Sequence, residues 1–203
     1  MRDVWYSDRR DLVKWASVAA TARSARIKEV IWVALLPQNR EASGQQVALK
    51  RRFGVRGEVV WRYFRDMHDI VSLGHELGIK ITLADDDLAS LTRDKYVLAL
   101  ADQLKRRRTR CVVFVDPDTG IAPDKRASLA HISTKHLAQV WDALKPEDWI
   151  VVYQHGDRTK DWLTRRMALF SKVTGVRGRT DRLPEVAKDA AIYSAKRERS
   201  PQP

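Results

Sequence analysis

One cysteine, Cys111, occurs in 203 residues. An intramolecular disulfide is therefore excluded, which fits a reducing compartment and makes the cytoplasm the expected location. Cys111 stands in an apolar run and reads as a small buried hydrophobe, not a nucleophile. No apolar run approaches the roughly 18–20 residues needed to span a bilayer, so no membrane association is expected. Residues 1–14 are charged and lack an apolar stretch, so no signal peptide is read there. Glycine is scarce, at nine residues. The chain has no G-x-G-x-x-G, no phosphate-binding P-loop, no G-x-S-x-G and no H-E-x-x-H. These absences disfavour a standard dinucleotide or ATP site and a serine hydrolase. Acidic residues are outnumbered, 26 against 38 Lys and Arg, for a net charge of +12. That balance favours an acidic partner, with nucleic acid or a nucleotide first.

Hydrophobic residues make up 44% of the chain, enough for a sizeable core. The length suits one α/β domain over residues 1–196, with a frayed tail at 197–203. Helical spacing predicts helices over Asp8–Arg23, Gly57–Leu77, Thr92 or Arg93 to Lys105, Thr134–Leu144 and Asp157–Thr174. In the first of these, Leu12, Trp15, Ala16 and Ala19 are expected to form the inward face. Short apolar runs predict strands at Lys28–Leu36, Ile79–Ala84, Cys111–Asp116 and Trp149–Tyr153, with a last one at Asp189–Lys196. Ala127–Ser133 reads as a short strand or an irregular piece, and Gly175–Glu185 as a basic loop. Alternation of strand and helix implies a mostly parallel sheet with helices on both faces.

Such sheets bind ligands beyond the carboxyl ends of their strands. The polar punctuation falls at those ends: Pro37-Gln38-Asn39, Asp85-Asp86-Asp87, Asp116-Pro117-Asp118-Thr119-Gly120 and Gln154-His155-Gly156. Asp116 and Asp118 flank a proline that fixes the backbone, so the loop could present both carboxylates to one hard cation, magnesium or manganese. The alternative is a turn whose side chains bond their own backbone. His155 follows an apolar strand and could serve as a general base or a ligand, or be bonded at the sheet rim. Gln154 either reads a base edge or satisfies backbone groups. Asp8, Asp11 and Lys14 fall at intervals of three on one helix. They either converge on the rim or form a solvated charged face, and their place in a helix favours the latter. Asp85 stands where nucleotide-binding folds put a ribose-binding carboxylate, in an acidic turn that also suits helix capping. The basic run Lys105–Arg110 is either a solvated helix end or a phosphate-contact patch.

Three motifs then stand out: Tyr6-x-Asp8-x-x-Asp11-Leu12-x-Lys14, Asp116-Pro117-Asp118-x-Gly120-Ile121 and Tyr153-Gln154-His155. In these the chain resembles a group of small bacterial and phage proteins. More distantly it resembles the Rossmann-like adenine-N6 methyltransferases of ribosomal RNA, which pair a helical Asp-x-x-Lys with a central Asp-Pro-Pro loop. That resemblance implies a methyltransferase-like, Rossmann-like fold. It also implies S-adenosylmethionine as cofactor, Asp116 orienting a target amine, Asp85 on the cofactor ribose, and Asp8, Asp11 and Lys14 walling the pocket. Two departures count against it: Pro37-Gln38-Asn39 replaces the glycine-rich cofactor loop, and Asp118 replaces the second proline. Three readings follow. The chain is an enzyme acting on nucleic acid or a nucleotide, a metal-dependent phosphodiesterase using Asp116, Asp118 and His155, or a non-catalytic nucleic-acid-binding module.

Overall fold

The structure, a computed structural model, describes residues 9–35, 70–84, 92–157 and 159–199. In chain order these form α1 (Arg9–Ser24), β1 (Glu29–Leu35), α2 (Ile70–Glu76), β2 (Lys80–Leu83), α3 (Arg93–Arg106) and β3 (Val112–Pro117). Then come β4 (Gly120–Ala122), a 3-10 turn (Asp124–Arg126), β5 (His131–Ser133), α4 (Thr134–Ala143) and β6 (Trp149–His155). The chain continues through α5 (Trp162–Thr174), β7 (Arg179–Asp181), α6 (Pro184–Ala187) and β8 (Ala190–Lys196). The part of the predicted Gly57–Leu77 helix before Ile70 lies outside the described residues, as do Asp8, Pro37-Gln38-Asn39 and Asp85.

Six strands form one sheet in the order β2-β1-β3-β6-β8-β7, and β4 pairs with β5 in a separate two-stranded ribbon. β1, β2, β3 and β6 run parallel, while β8 is antiparallel to both β6 and β7. This is an α/β, Rossmann-like sheet with helices on both faces. Alternation along each strand sends successive side chains to opposite helical layers. Val112 and Phe114 of β3 pack with Val13, Trp15, Val18 and Ala22 of α1. Val113 and Val115 pack with Leu100 of α3, Val140 of α4 and Phe170 of α5. Cys111 is fully buried, and burial pushes its thiol pKa well up, so it is the inert core residue expected of it.

Several elements depart from the expectations, each for a physical reason. β4 and β7 are three residues long, too short for periodicity to reveal. Ser133 caps α4, its Oγ accepting a hydrogen bond from His136 N at 3.1 Å. Arg197, placed in a frayed tail by its polarity, exchanges backbone hydrogen bonds with the 147–148 turn, at 2.8 Å each.

The amino ends of β3 and β6 are tied by Asp148, which is fully buried. Its carboxylate accepts hydrogen bonds from Cys111 N and Lys145 N, both at 2.8 Å, and from Arg107 Nη2 at 3.0 and 3.2 Å. Arg107 is therefore a structural staple inside the basic run. Asp148→Asn keeps one acceptor for Cys111 N but loses the charged partner of Arg107 and one oxygen. It is expected to cost about 1–2 kcal/mol, read by thermal unfolding. An unchanged melting temperature would show that the pair contributes nothing there.

Candidate functional site

The chain runs from β1 outward to β2, then crosses back over β1 to β3. The strand order therefore reverses between β1 and β3, and a ligand crevice in an open α/β sheet lies outside the carboxyl ends at such a reversal. Asp116 occupies that position, paired in register with Ala34, while Pro117 pairs with Leu35. Its side chain follows Val112 and Phe114 toward α1.

There it enters a buried charged group. Lys14 Nζ lies 2.9 Å from Asp116 Oδ1 and 3.0 Å from Asp11 Oδ1. The ammonium sits 4.2 Å from the centre of the Tyr153 ring, a cation–π geometry. Trp32 Nε1 donates to Asp116 Oδ2 at 3.3 Å. Trp15 meets both Trp32 and Phe114 edge to face, at 5.2 and 5.3 Å between ring centres, and these rings floor the group. Burial alone would lower the Lys14 pKa, but the adjacent Asp11 and Asp116 carboxylates outweigh it and hold it above the ordinary lysine value. Lys14 is thus a fixed cation and not a general base. One ammonium is thus shared by two buried carboxylates.

A solvated charged face is therefore the wrong description of α1 at Asp11 and Lys14, both of which are buried. The inward stripe is Asp11, Lys14, Trp15, Val18 and Ala22, whereas Leu12 is 44% exposed and Ala16 faces out. The helix is rotated from the expected orientation because its charged residues have partners in the sheet. Spacings of three and four through Trp15, Val18 and Ala22, extended back to Asp11, carried that signal.

A second polar set adjoins the first. His155 is on the same side of β6 as Tyr153, two residues away. Its Nδ1 lies 3.4 Å from the Tyr153 hydroxyl and 3.9 Å from Asp189 Oδ2. Arg10 Nη2 donates to the same Asp189 oxygen at 2.5 Å. Burial would raise the Asp189 pKa, but the Arg10 bond and charge prevail and lower it. Arg10, His155 and Asp189 have side chains 23–32% exposed, so they form the network's face toward solvent. Arg10 and Asp189 are 179 residues apart, and nothing in the sequence singled them out.

Gln154 points to the other face and is a structural latch. Its Oε1 accepts from Ile121 N at 2.8 Å, and its Nε2 donates to Thr119 O at 2.9 Å and His155 O at 2.7 Å. His155 N also donates to Thr119 O at 3.2 Å. The central loop and the Tyr153-Gln154-His155 strand end are thereby one unit. Asp118, in that loop, is half-buried and makes no hydrogen bond or ion pair among the described residues. The charge it influences is His131 of β5.

These positions bear on a metal. Asp116 offers its two oxygens to an ammonium and an indole N–H, and a divalent cation there would have to displace Lys14. Among the described residues no group of three or more His, Cys, Asp or Glu is placed to hold a metal ion. Magnesium or manganese therefore does not fit Asp116 and Asp118 as arranged. No described helix is long and apolar enough to cross a membrane.

No family model and no curated protein matches the chain. Among solved structures it is similar to a release-factor-specific protein-(glutamine-N5) methyltransferase from Alicyclobacillus acidocaldarius. That likeness has 13% identity and a TM-score of 0.44, and covers 98% of each chain. A proposed methyltransferase from Thermobifida fusca has 11% identity and a TM-score of 0.44, covering 94% of this chain and 81% of that one. A DUF574-family protein from Streptomyces avermitilis has 10% identity and a TM-score of 0.42, over 93% and 82%. The fold assignment rests on the strand order itself.

Proposed function

We propose that this chain binds a nucleotide or a nucleic acid at the carboxyl ends of β1, β3 and β6, with Asp116 as the acceptor for an exocyclic amine of the base. The observation that carries the reading is the state of Asp116 Oδ1. It is buried at the reversal of strand order, and the one group facing it among the described residues is Lys14 Nζ at 2.9 Å, a single contact for an oxygen with two lone pairs. A buried acceptor with an unused lone pair suits a ligand donor, and a dry site strengthens that bond. Lys14 and Trp32 hold the carboxylate in place, and His155, Asp189 and Arg10 offer polar groups at the mouth. The adenine-N6 methyltransferase resemblance assigns Asp116 the same task. The positions that the resemblance gives to the S-adenosylmethionine loop and ribose, Pro37-Gln38-Asn39 and Asp85, lie outside the described residues.

Calorimetric titration with adenosine, inosine, S-adenosylmethionine and a short adenine-containing oligonucleotide tests this. Adenosine is expected to bind about tenfold or more tighter than inosine, which lacks the amine. Asp116→Asn, which leaves Lys14 paired with Asp11, is expected to erase that preference. Absence of binding by wild type to every one of these at millimolar concentration would overturn the proposal.

A further inference from the structure

The excess positive charge has a definite place in the fold. α1, α3 and α5 all end at the amino ends of the parallel strands, with Arg23, Lys105, Arg106 and Lys172 in their last turns. Cations suit helix carboxyl ends, which accounts for those residues locally. It does not account for Arg108 and Arg110, beyond α3, or for Arg199, beyond β8. All three are exposed. β8 is antiparallel to β6, with Lys196 paired in register to Trp149, so it delivers Arg197 and Arg199 to the same pole. Glu147 N donates to Arg197 O, Lys196 pairs with Glu147, and Cys111 N donates to Asp148, each at 2.8 Å, so the segments holding Arg110 and Arg199 flank one turn.

Most carboxylates of this pole are already matched, Glu198 being the exposed exception beside Arg199. Asp148 and Glu29 are taken by Arg107, Glu147 by Lys196 at 2.8 Å, and Asp142 by Arg197 at 3.8 Å. Arg106, Arg108 and Arg110 make no ion pair among the described residues. They remain as surplus charge on an exposed rim, about 20 Å from the carboxyl-end crevice by the length of a seven-residue strand. Guanidinium groups engage phosphate oxygens in pairs. A membrane surface would be expected to find apolar side chains interleaved with the charges. The exposed residues of the run are Lys105, Arg106, Arg108, Thr109 and Arg110, with no apolar member.

We infer that the amino-end pole, centred on Arg106, Arg108 and Arg110 with Arg199 beside them, is a docking surface for the phosphate backbone of nucleic acid. This surface is separate from the Asp116 crevice and does not depend on a ligand there.

The test is fluorescence anisotropy with labelled single- and double-stranded oligonucleotides across a salt titration. The pole variant carries Arg106→Glu, Arg108→Glu and Arg110→Glu. A control carries Lys95→Glu, Lys125→Glu and Lys160→Glu, three exposed positions outside this pole, for an identical change in net charge. Wild type is expected to bind with a steep salt dependence. The pole variant should lose about tenfold or more in affinity, and its log–log salt slope should fall by about 2–3. The control should stay within about threefold of wild type, which separates this surface from a loss of net charge alone. Equal losses in pole variant and control would overturn the inference, as would wild-type-like binding by the pole variant. Affinity for anionic lipid vesicles with none for either oligonucleotide would also overturn it.

Discussion

Lys14→Met is expected to lower the free energy of unfolding by about 3–5 kcal/mol at neutral pH, because it removes the cation that two buried carboxylates share. For a domain of this size that corresponds to a fall in melting temperature of about 6–20 °C. Methionine is chosen because it fills similar space, so the loss reports charge and not a cavity. The pH dependence identifies the cause. In the wild type the raised Lys14 pKa contributes stability that is complete below about pH 10.4, the ordinary lysine value. That contribution drains only as pH climbs from there through the raised value. In the variant, acid protonates the stranded carboxylates and removes the buried charge. The gap between variant and wild type should therefore narrow between pH 7 and pH 5. Replacing Asp11 and Asp116 by asparagine in the same chain should recover much of the loss. Thermal unfolding followed by circular dichroism at the two pH values reads all of this. A variant melting within 2 °C of wild type at pH 7 would show that the triad is not coupled as its geometry implies.

Gly120→Ala is expected to cost about 3–5 kcal/mol, combining backbone strain with overpacking. Gly120 has φ of +108°, which an L-residue adopts only under strain, and an added Cβ would stand 2.4 Å from the amide atoms of Gln154. Gln154 cannot yield, since both its polar atoms bridge the central loop to the β6 end. Two contributions can be separated. Gln154→Ala in the Gly120→Ala background removes the collision but not the φ strain, so it should recover only part of the loss. Chemical denaturation of the two single variants and the double variant gives the coupling. Additive effects would show that the collision is relieved elsewhere.

The frame of this fold was plain in the sequence wherever burial is complete. β1, β3 and β6 are continuous apolar runs with polar residues at their ends, and each lies within two residues of its expected span. The direction of β8 was not, because an apolar run carries no sign of whether its neighbour is parallel. At the site, Asp116 was legible through its place at the end of a buried strand. Lys14 and Asp11 were visible as a motif but assigned the wrong environment, since a helix read alone has no reason to turn its charges inward. The partners that reverse that reading, Asp116 and Tyr153, come more than a hundred residues later. Asp189 and Arg10 carry no motif at all; they become meaningful only when β8 returns beside β6. Gln154 was named with two roles open, and its latch became apparent only once the loop lay against it.

The antiparallel course of β8 also governs how the protein can be handled. The first described helix begins at the carboxyl-end rim, beside Asp116, and the last strand finishes at the opposite, basic pole. A peptide or domain fused after β8 would therefore emerge among Arg110, Arg197 and Arg199, and an acidic tag there would compete with any polyanion. A fusion ahead of α1 would instead crowd the mouth formed by Arg10, His155 and Asp189. The two ends of the described fold thus lie beside different surfaces.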